Sequence, residues 1–139
     1  MEQMVFHTAL GWVGVAVTDS GVSAVILPKK EKNKVEQDLV KAVRGGRRTE
    51  KTSAAAGHIL DKTVAQLKRY FSGERVPFDL PLDISYYTSF QQSVWKAVAA
   101  IPYGETRSYG WIAQKIGNPR ASRAVGQANG ANPVPILVP

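Results

Sequence analysis

Between Tyr109 and Asn129 the chain carries two short stretches of helical periodicity on either side of Gly117-Asn118-Pro119. At about 100° per residue, Tyr109, Ile112, Ala113 and Ile116 fall at i, i+3, i+4 and i+7 and make one apolar face. Ser108 is placed to cap that helix and Gly117 to end it. In the second stretch Asn118 is expected to cap. Pro119 is tolerated at the first helical position because its missing N–H would have been an orphan donor, and Ala121, Ala124, Val125 and Ala128 turn inward. Arg123 then points away from that face. Two short helices across a tight glycine-containing turn predict a helix-turn-helix unit, whose second helix commonly meets nucleic acid.

The second of these helices is nearly all small. Ala121, Ser122, Ala124, Gly126 and Ala128 leave Arg120, Arg123, Val125 and Gln127 as its only sizeable side chains. A helix with ordinary side chains is about 10–12 Å across, whereas the minor groove is only about 6 Å wide, so a thin helix enters it more readily. Close packing of helix on helix asks for the same small residues, and the pattern alone leaves both readings open. Arg123 taken singly also reads as a solvated surface arginine, and Tyr109 as a core aromatic on an apolar helical face.

Charge points the same way as the motif. The net charge of +7 and a sequence pI near 9.8 favour a polyanionic partner. From Ile84 onward Glu105 is the only acid, against Lys96, Arg107, Lys115, Arg120 and Arg123. A second basic cluster, Lys29, Lys30, Lys32, Lys34, Lys41, Arg44, Arg47, Arg48 and Lys51, is broken by Gly45-Gly46 and reads as a solvated face. No stretch approaches the ~20 apolar residues of a membrane span. No apolar segment follows a basic start, so a reducing, cytosolic setting without membrane association is expected. The chain of 139 residues is 44% hydrophobic, enough for a core without disulfides, and it has no cysteine, which excludes a thiolate zinc site.

Upstream, Val5 to Leu27 alternates and turns like an antiparallel meander, with Leu10-Gly11 and Asp19-Ser20-Gly21 as turns. Glu36 to Val43 suggests a short helix. Ser53 to Phe71 is a longer one with a Leu60, Val64, Leu67 and Phe71 stripe, ended by Ser72-Gly73. Pro77 to Asp83 is extended and, with two prolines, suits a connector better than a central strand. The expected domains are therefore residues 1–80 and 81–139. The second opens with Thr88 and Gln91 as a capping box and a Phe90, Val94, Ala97 and Ile101 stripe, ended by Pro102 and Gly104. Trp95 and Trp111 are assigned to packing.

The segments Phe90-Gln91-Gln92-Ser93-Val94-Trp95-Lys96, Ile101-Pro102-Tyr103-Gly104-Glu105-Thr106-Arg107-Ser108-Tyr109, Ala121-Ser122-Arg123-Ala124-Val125-Gly126 and Asn132-Pro133-Val134-Pro135-Ile136-Leu137-Val138-Pro139 carry a family signature. They resemble the alkylguanine-DNA alkyltransferases, the methylated-DNA:protein-cysteine methyltransferases. The likeness is dense and collinear from Phe90 onward. It implies an α+β fold: an N-terminal ribonuclease H-like antiparallel sheet with a helix, and a C-terminal winged-helix-like helical domain with a helix-turn-helix. It further implies single-turnover transfer of an alkyl group from O6-alkylguanine, or O4-alkylthymine, in duplex DNA to a protein cysteine, by minor-groove binding and base flipping. No cofactor and no metal are called for. The expected partner is double-stranded DNA containing alkylated guanine, bound by a monomer, in the cytoplasm (nucleoid-associated in a bacterium, nuclear in a eukaryote).

Carried over residue by residue, the resemblance makes Arg123 a finger that replaces the departed base and Tyr109 the residue that crowds the neighbouring phosphate. Ser122, Gln127 and Ala128 become groove contacts and Arg120 a phosphate contact. Asn132 is an asparagine turn that fixes the active-site segment, where Val134 to Val138 should run as a strand-like wall supported by Pro135, Val138 and Pro139. The family continues with Cys-His-Arg, the thiolate being the acceptor. None of the 139 residues is a cysteine, and His7 and His58 lie outside the cassette, so these residues alone should be inactive. The apolar run Pro135 to Val138 needs a covering layer, which predicts a polypeptide that continues past Pro139; a genuine fragment is the alternative. Two further readings stay open: an alkyltransferase-like lesion binder without transfer, and a helix-turn-helix regulator of the major groove. The second fits the small-residue helix poorly, because major-groove readers carry several long polar side chains.

Overall fold

The computed structural model describes residues 1–43, 51–102 and 104–138. Among them are three strands, β1 (Glu2–Thr8), β2 (Gly11–Thr18) and β3 (Gly21–Lys29), and five helices: α1 (Lys32–Ala42), α2 (Ala54–Phe71), α3 (Ser89–Ala99), α4 (Tyr109–Lys115) and α5 (Ser122–Gly130). Contacts divide the chain into two compact units, Met1–Asp83 with Pro133–Pro135, and Ile84–Asn132 with Ile136–Pro139. Of the second basic cluster, Arg44, Arg47 and Arg48 lie outside the described residues, as do Tyr103 and Pro139.

In the first unit the strands form an antiparallel meander in the order β1-β2-β3, with Met4 opposite Val15 and Val15 opposite Val25. Val13 to Thr18 of β2 are all buried, so this central strand is covered on both faces. Successive side chains of a strand point to opposite faces, and each face here has its own helix. On one, Ala16 and Ala24 pack with Leu39 and Val43 from α1 and its C-terminal cap. Gly14 belongs to that face: a β-carbon there would lie 2.9 Å from Val35 Cγ1, so only glycine admits α1 this closely. On the other, α2 buries Ala56, Leu60, Thr63, Leu67 and Phe71, and its Lys68 ammonium stands 5.8 Å from the centre of the Phe6 ring.

The family resemblance implies a single helix with the sheet, whereas both helices read from the residues pack against it, and α1 starts at Lys32 rather than near Glu36. The α2 stripe is also turned: Thr63 is buried in place of Val64, its hydroxyl donating to the Ile59 carbonyl at 2.6 Å. That local bond lets a threonine occupy a core position without an unmet donor.

The outer edge of β3 is covered rather than left open. The Val22 amide donates to the Pro81 carbonyl and the Asp83 amide to the Val22 carbonyl, both at 2.8 Å, while the Val25 amide donates to the Pro133 carbonyl at 2.9 Å. The Asp83 carboxylate, buried, accepts from the Thr18 hydroxyl at 2.6 Å. Asp79 accepts from Lys62 at 2.8 Å and Gln66 at 2.7 Å, which ties the extended segment to α2.

In the second unit Thr88 and Gln91 form the full capping box of α3, each side chain accepting from the other's backbone amide at 3.1 Å. The buried face of α3 is Val94, Trp95 and Val98, about one residue round from the expected stripe, because the fully buried indole of Trp95 takes the centre. Its Nε1 donates to the Ala128 carbonyl at 2.8 Å, and Tyr87 meets it edge-on at 4.9 Å. Ile112, Ala113, Val125 and Ala128 complete this core. Among the described residues no helix is long and apolar enough to cross a membrane.

Candidate nucleic-acid interface

The two short helices are held in place by local chemistry at each end. Ser108 caps α4, its hydroxyl accepting from the Trp111 amide at 3.0 Å. At the other end Gly117 takes φ 81°, with its amide bonded to the Gln114 carbonyl and the Asn118 amide to the Ala113 carbonyl. Those paired bonds are a Schellman ending, and the left-handed residue in it is best filled by glycine. The chain then closes a second turn through the Ala121 amide and the Asn118 carbonyl, with Pro119 at its first central position. Asn118 therefore accepts through its backbone and is not the helix cap expected of it; α5 starts at Ser122 after Ala121, with no side-chain cap.

Helix α5 turns Val125 and Ala128 into the core and leaves Arg123, Ala124 and Gln127 exposed, with Ser122 half-buried. Arg123 and Gln127 lie one turn apart on the same face, and Arg120 is exposed in the turn before them. Among the described residues neither Arg120 nor Arg123 has an ion-pair partner. Glu105 is instead paired with Arg107 at 2.9 Å, so the only acid of this unit leaves the α5 cations unopposed. Ala124, expected inward, faces out. Ala128 departs from its expected groove contact, because it is only 4% exposed and its carbonyl receives the Trp95 indole.

Tyr109, the first residue of α4, is 49% exposed rather than a core aromatic. It lines a cavity of about 430 Å³ together with Val98, Ile101, Arg107, Ile112 and Asn129. Its ring edge also lies against Gly126: a β-carbon there would come within 3.0 Å of Tyr109 Cε2. Trp111, assigned to packing on sequence, is 39% exposed, with the Arg107 guanidinium 5.2 Å from its ring centre. These two contacts escaped the sequence reading. A glycine inside a helix was the available signal for the first, since it costs stability unless packing requires it.

Asn132 donates its side-chain amide to the Val138 carbonyl at 2.6 Å and so closes the loop that follows α5. Inside that loop Ile136 takes φ 77°, a rare conformation for a β-branched residue, and the chain turns at Ile136 and Leu137. The continuous strand-like wall expected from Val134 to Val138 is absent for that reason. Pro135 is half-buried and Val138 buried, while Pro139 lies outside the described residues. His7 sits in β1 against Trp12, and His58 is exposed on α2. Among the described residues no three metal-ligating side chains gather.

With this geometry the comparison with known proteins is unambiguous. The model of the 6-O-methylguanine DNA methyltransferase ribonuclease-like domain matches residues 5–84, and that of the DNA binding domain of the same proteins matches residues 89–139. The chain belongs to the 6-O-methylguanine DNA methyltransferase family. A Methylated-DNA--protein-cysteine methyltransferase of Methanosarcina barkeri is 43% identical over 128 residues, covering 88% of this chain and 77% of that protein. The Mycobacterium tuberculosis protein of the same name is 62% identical over 76 residues, or 55% of this chain. That match spans 46% of the mycobacterial protein, about half its length. The fold of Mycobacterium tuberculosis OGT in complex with DNA superposes with a TM-score of 0.70 at 37% identity, over 100% of this chain and 75% of that one. Family membership and the α+β architecture thus rest on both units.

Proposed function

We propose that the chain repairs alkylated DNA by direct reversal. Helix α5 enters the minor groove as the second helix of a helix-turn-helix, the damaged nucleotide rotates out of the stack, and its alkyl group passes to a cysteine thiolate. The sulfur bonds to the alkyl carbon as the bond to guanine O6, or thymine O4, breaks; the electron pair stays with the base, which takes up a proton. The thioether is not reversed, so each molecule acts once. The acceptor is not among these 139 residues, and the family pattern puts it directly after Pro139. The domains of this reading are residues 1–80 and 81–139, the protein acts as a monomer, and it works in the cytoplasm (on the nucleoid in a bacterium, in the nucleus of a eukaryote).

One observation carries this reading: the exposed face of α5. Arg123 and Gln127 stand there without large neighbours, since Ser122, Ala124 and Gly126 are all small. A base inside a duplex hides its O6 atom, and extruding it costs a few kcal/mol of stacking. Arg123 supplies a flat guanidinium that stacks in the vacancy, and Tyr109 crowds the adjacent phosphate. Arg120, Ser122 and Gln127 hold the backbone and groove, while Asn132, Pro135, Val138 and Pro139 support the segment that presents the acceptor. Arg123→Ala tests this directly with a duplex bearing O6-methylguanine beside 2-aminopurine. Extrusion, read by the fluorescence rise, should slow ~10-fold or more, as expected for loss of a stacking contact worth about 1–3 kcal/mol. Duplex affinity should fall far less, because phosphate contacts supply most of it. Equal losses would remove the finger role.

A second reading, lesion recognition without transfer, uses the same exposed Arg123 and Gln127 face of α5 and differs only in the residue at the acceptor position. The residue bonded to Pro139 in the intact polypeptide decides between the two: cysteine gives transfer, and a bulky replacement such as tryptophan gives recognition alone.

A further inference from the structure

Gly126 stands apart from the other glycines within helices. A β-carbon built there would lie 3.0 Å from Cε2 and 3.2 Å from Cδ2 of Tyr109, whereas at Gly130 of the same helix, and at Gly57, it would meet nothing. Glycine in a helix interior is disfavoured against alanine, so room for the tyrosine ring is a reason to keep it. The ring is otherwise loosely held. It is half exposed, and no hydrogen bond of its hydroxyl occurs among the described residues. Neither deep burial nor a polar contact fixes how far it stands from α5; the bare backbone of Gly126 does.

We propose that Gly126 is a positioning residue that seats Tyr109 against α5 and so sets the distance between the ring and the extruded nucleotide. The inference rests on the role given to Tyr109 above. A methyl group at residue 126 must push the ring out by a few tenths of an ångström. The exposed side of the ring leaves space for that movement, so the fold survives while the seat is lost. Misplacement by about 1 Å costs up to ~100-fold in rate, and a third of that distance scales to roughly 3- to 5-fold.

The test compares the full-length parent with Gly126→Ala, Gly130→Ala, Tyr109→Ala and the double variant Tyr109→Ala/Gly126→Ala. The readout is the extrusion rate on the O6-methylguanine and 2-aminopurine duplex. Gly126→Ala is expected to slow extrusion by that factor and Gly130→Ala to leave it unchanged. The double variant should match Tyr109→Ala, because without the ring the methyl has nothing to displace. A Gly126→Ala variant as fast as the parent overturns the proposal, and so does an equal slowing with and without the ring. Should the parent itself give no fluorescence rise, the repair reading falls and the seat is judged alone. In ¹³C-tyrosine spectra the Tyr109 ring resonance must then move in Gly126→Ala and stay in Gly130→Ala; an unmoved resonance refutes the seat. Should Gly126→Ala unfold, the double variant must refold, and one that stays unfolded is equally fatal.

Discussion

Replacing Trp95 by phenylalanine probes the anchor that ties α5 to α3. The indole is fully buried, meets Tyr87 edge-on and donates to the Ala128 carbonyl at 2.8 Å. Phenylalanine fills most of the same space but lacks about three heavy atoms, which at ~0.8 kcal/mol per buried carbon group costs about 2 kcal/mol. The lost hydrogen bond adds less than a fully orphaned carbonyl would. Ala128 still accepts from the Ala131 amide at 3.2 Å, so the contribution is the net value of one bond, about 1 kcal/mol. The sum is about 3 kcal/mol, a large part of the 5–15 kcal/mol that holds a typical domain. Urea unfolding followed by far-ultraviolet circular dichroism measures it. A loss below about 1 kcal/mol would refute the anchoring role, since transfer of the missing surface alone exceeds that.

Other consequences are open to the same instruments. Gly117→Ala should destabilise by about 1–2 kcal/mol, and the cost is purely backbone, because a β-carbon there meets no atom while φ stays at 81°; an unchanged urea midpoint would contradict the Schellman ending. Arg120→Ala should weaken duplexes of every sequence alike and reduce the slope of log affinity against log salt by about 1; a change confined to one sequence would make it a base contact instead. The Ser53 amide beside Asp19, the Lys29 ammonium beside Asp38, and the Lys62 ammonium and Gln66 amide beside Asp79 hold these carboxyls below their ordinary value of 3.8. Groups with a lowered folded value stabilise above the unfolded one and lose that contribution as pH falls through the folded one. The urea midpoint should therefore drop on acidification below about pH 4, and Asp19→Asn should flatten the curve. A midpoint equally sensitive in the Asp19→Asn, Asp38→Asn and Asp79→Asn variants would assign the acid response elsewhere.

Helix ends were the most legible part of the chain. Ser53, Thr88, Ser108 and Gly117 all sit where their local chemistry demands, because a cap bonds amides or carbonyls within a few residues of itself. Asn118 misled because a β-turn with proline at its first central position and an asparagine cap share one sequence signature. Which face of each helix is buried was less legible. The Trp95 indole rotates α3 about one residue from the apolar stripe, and Ala124 faces out although the α5 stripe placed it inward. Periodicity alone cannot weigh one large ring against several smaller residues.

The run from Pro133 to Val138 shows the same divide. Its apolar composition suits a strand, but Pro133 accepts from Val25, Asn132 reaches Val138, and between these anchors Ile136 is forced into the left-handed region. The amino-acid order alone determined the meander, the helix caps at Thr88 and Ser108, the stop at Gly117, the basic second half and the family signature, since all of these arise from neighbours in the chain. Only tertiary packing decided that β2 is covered on both faces, that Tyr109 rests on Gly126 and that Trp111 faces out. Those contacts join residues far apart in sequence, where the shape of each partner, and not its polarity, selects the outcome.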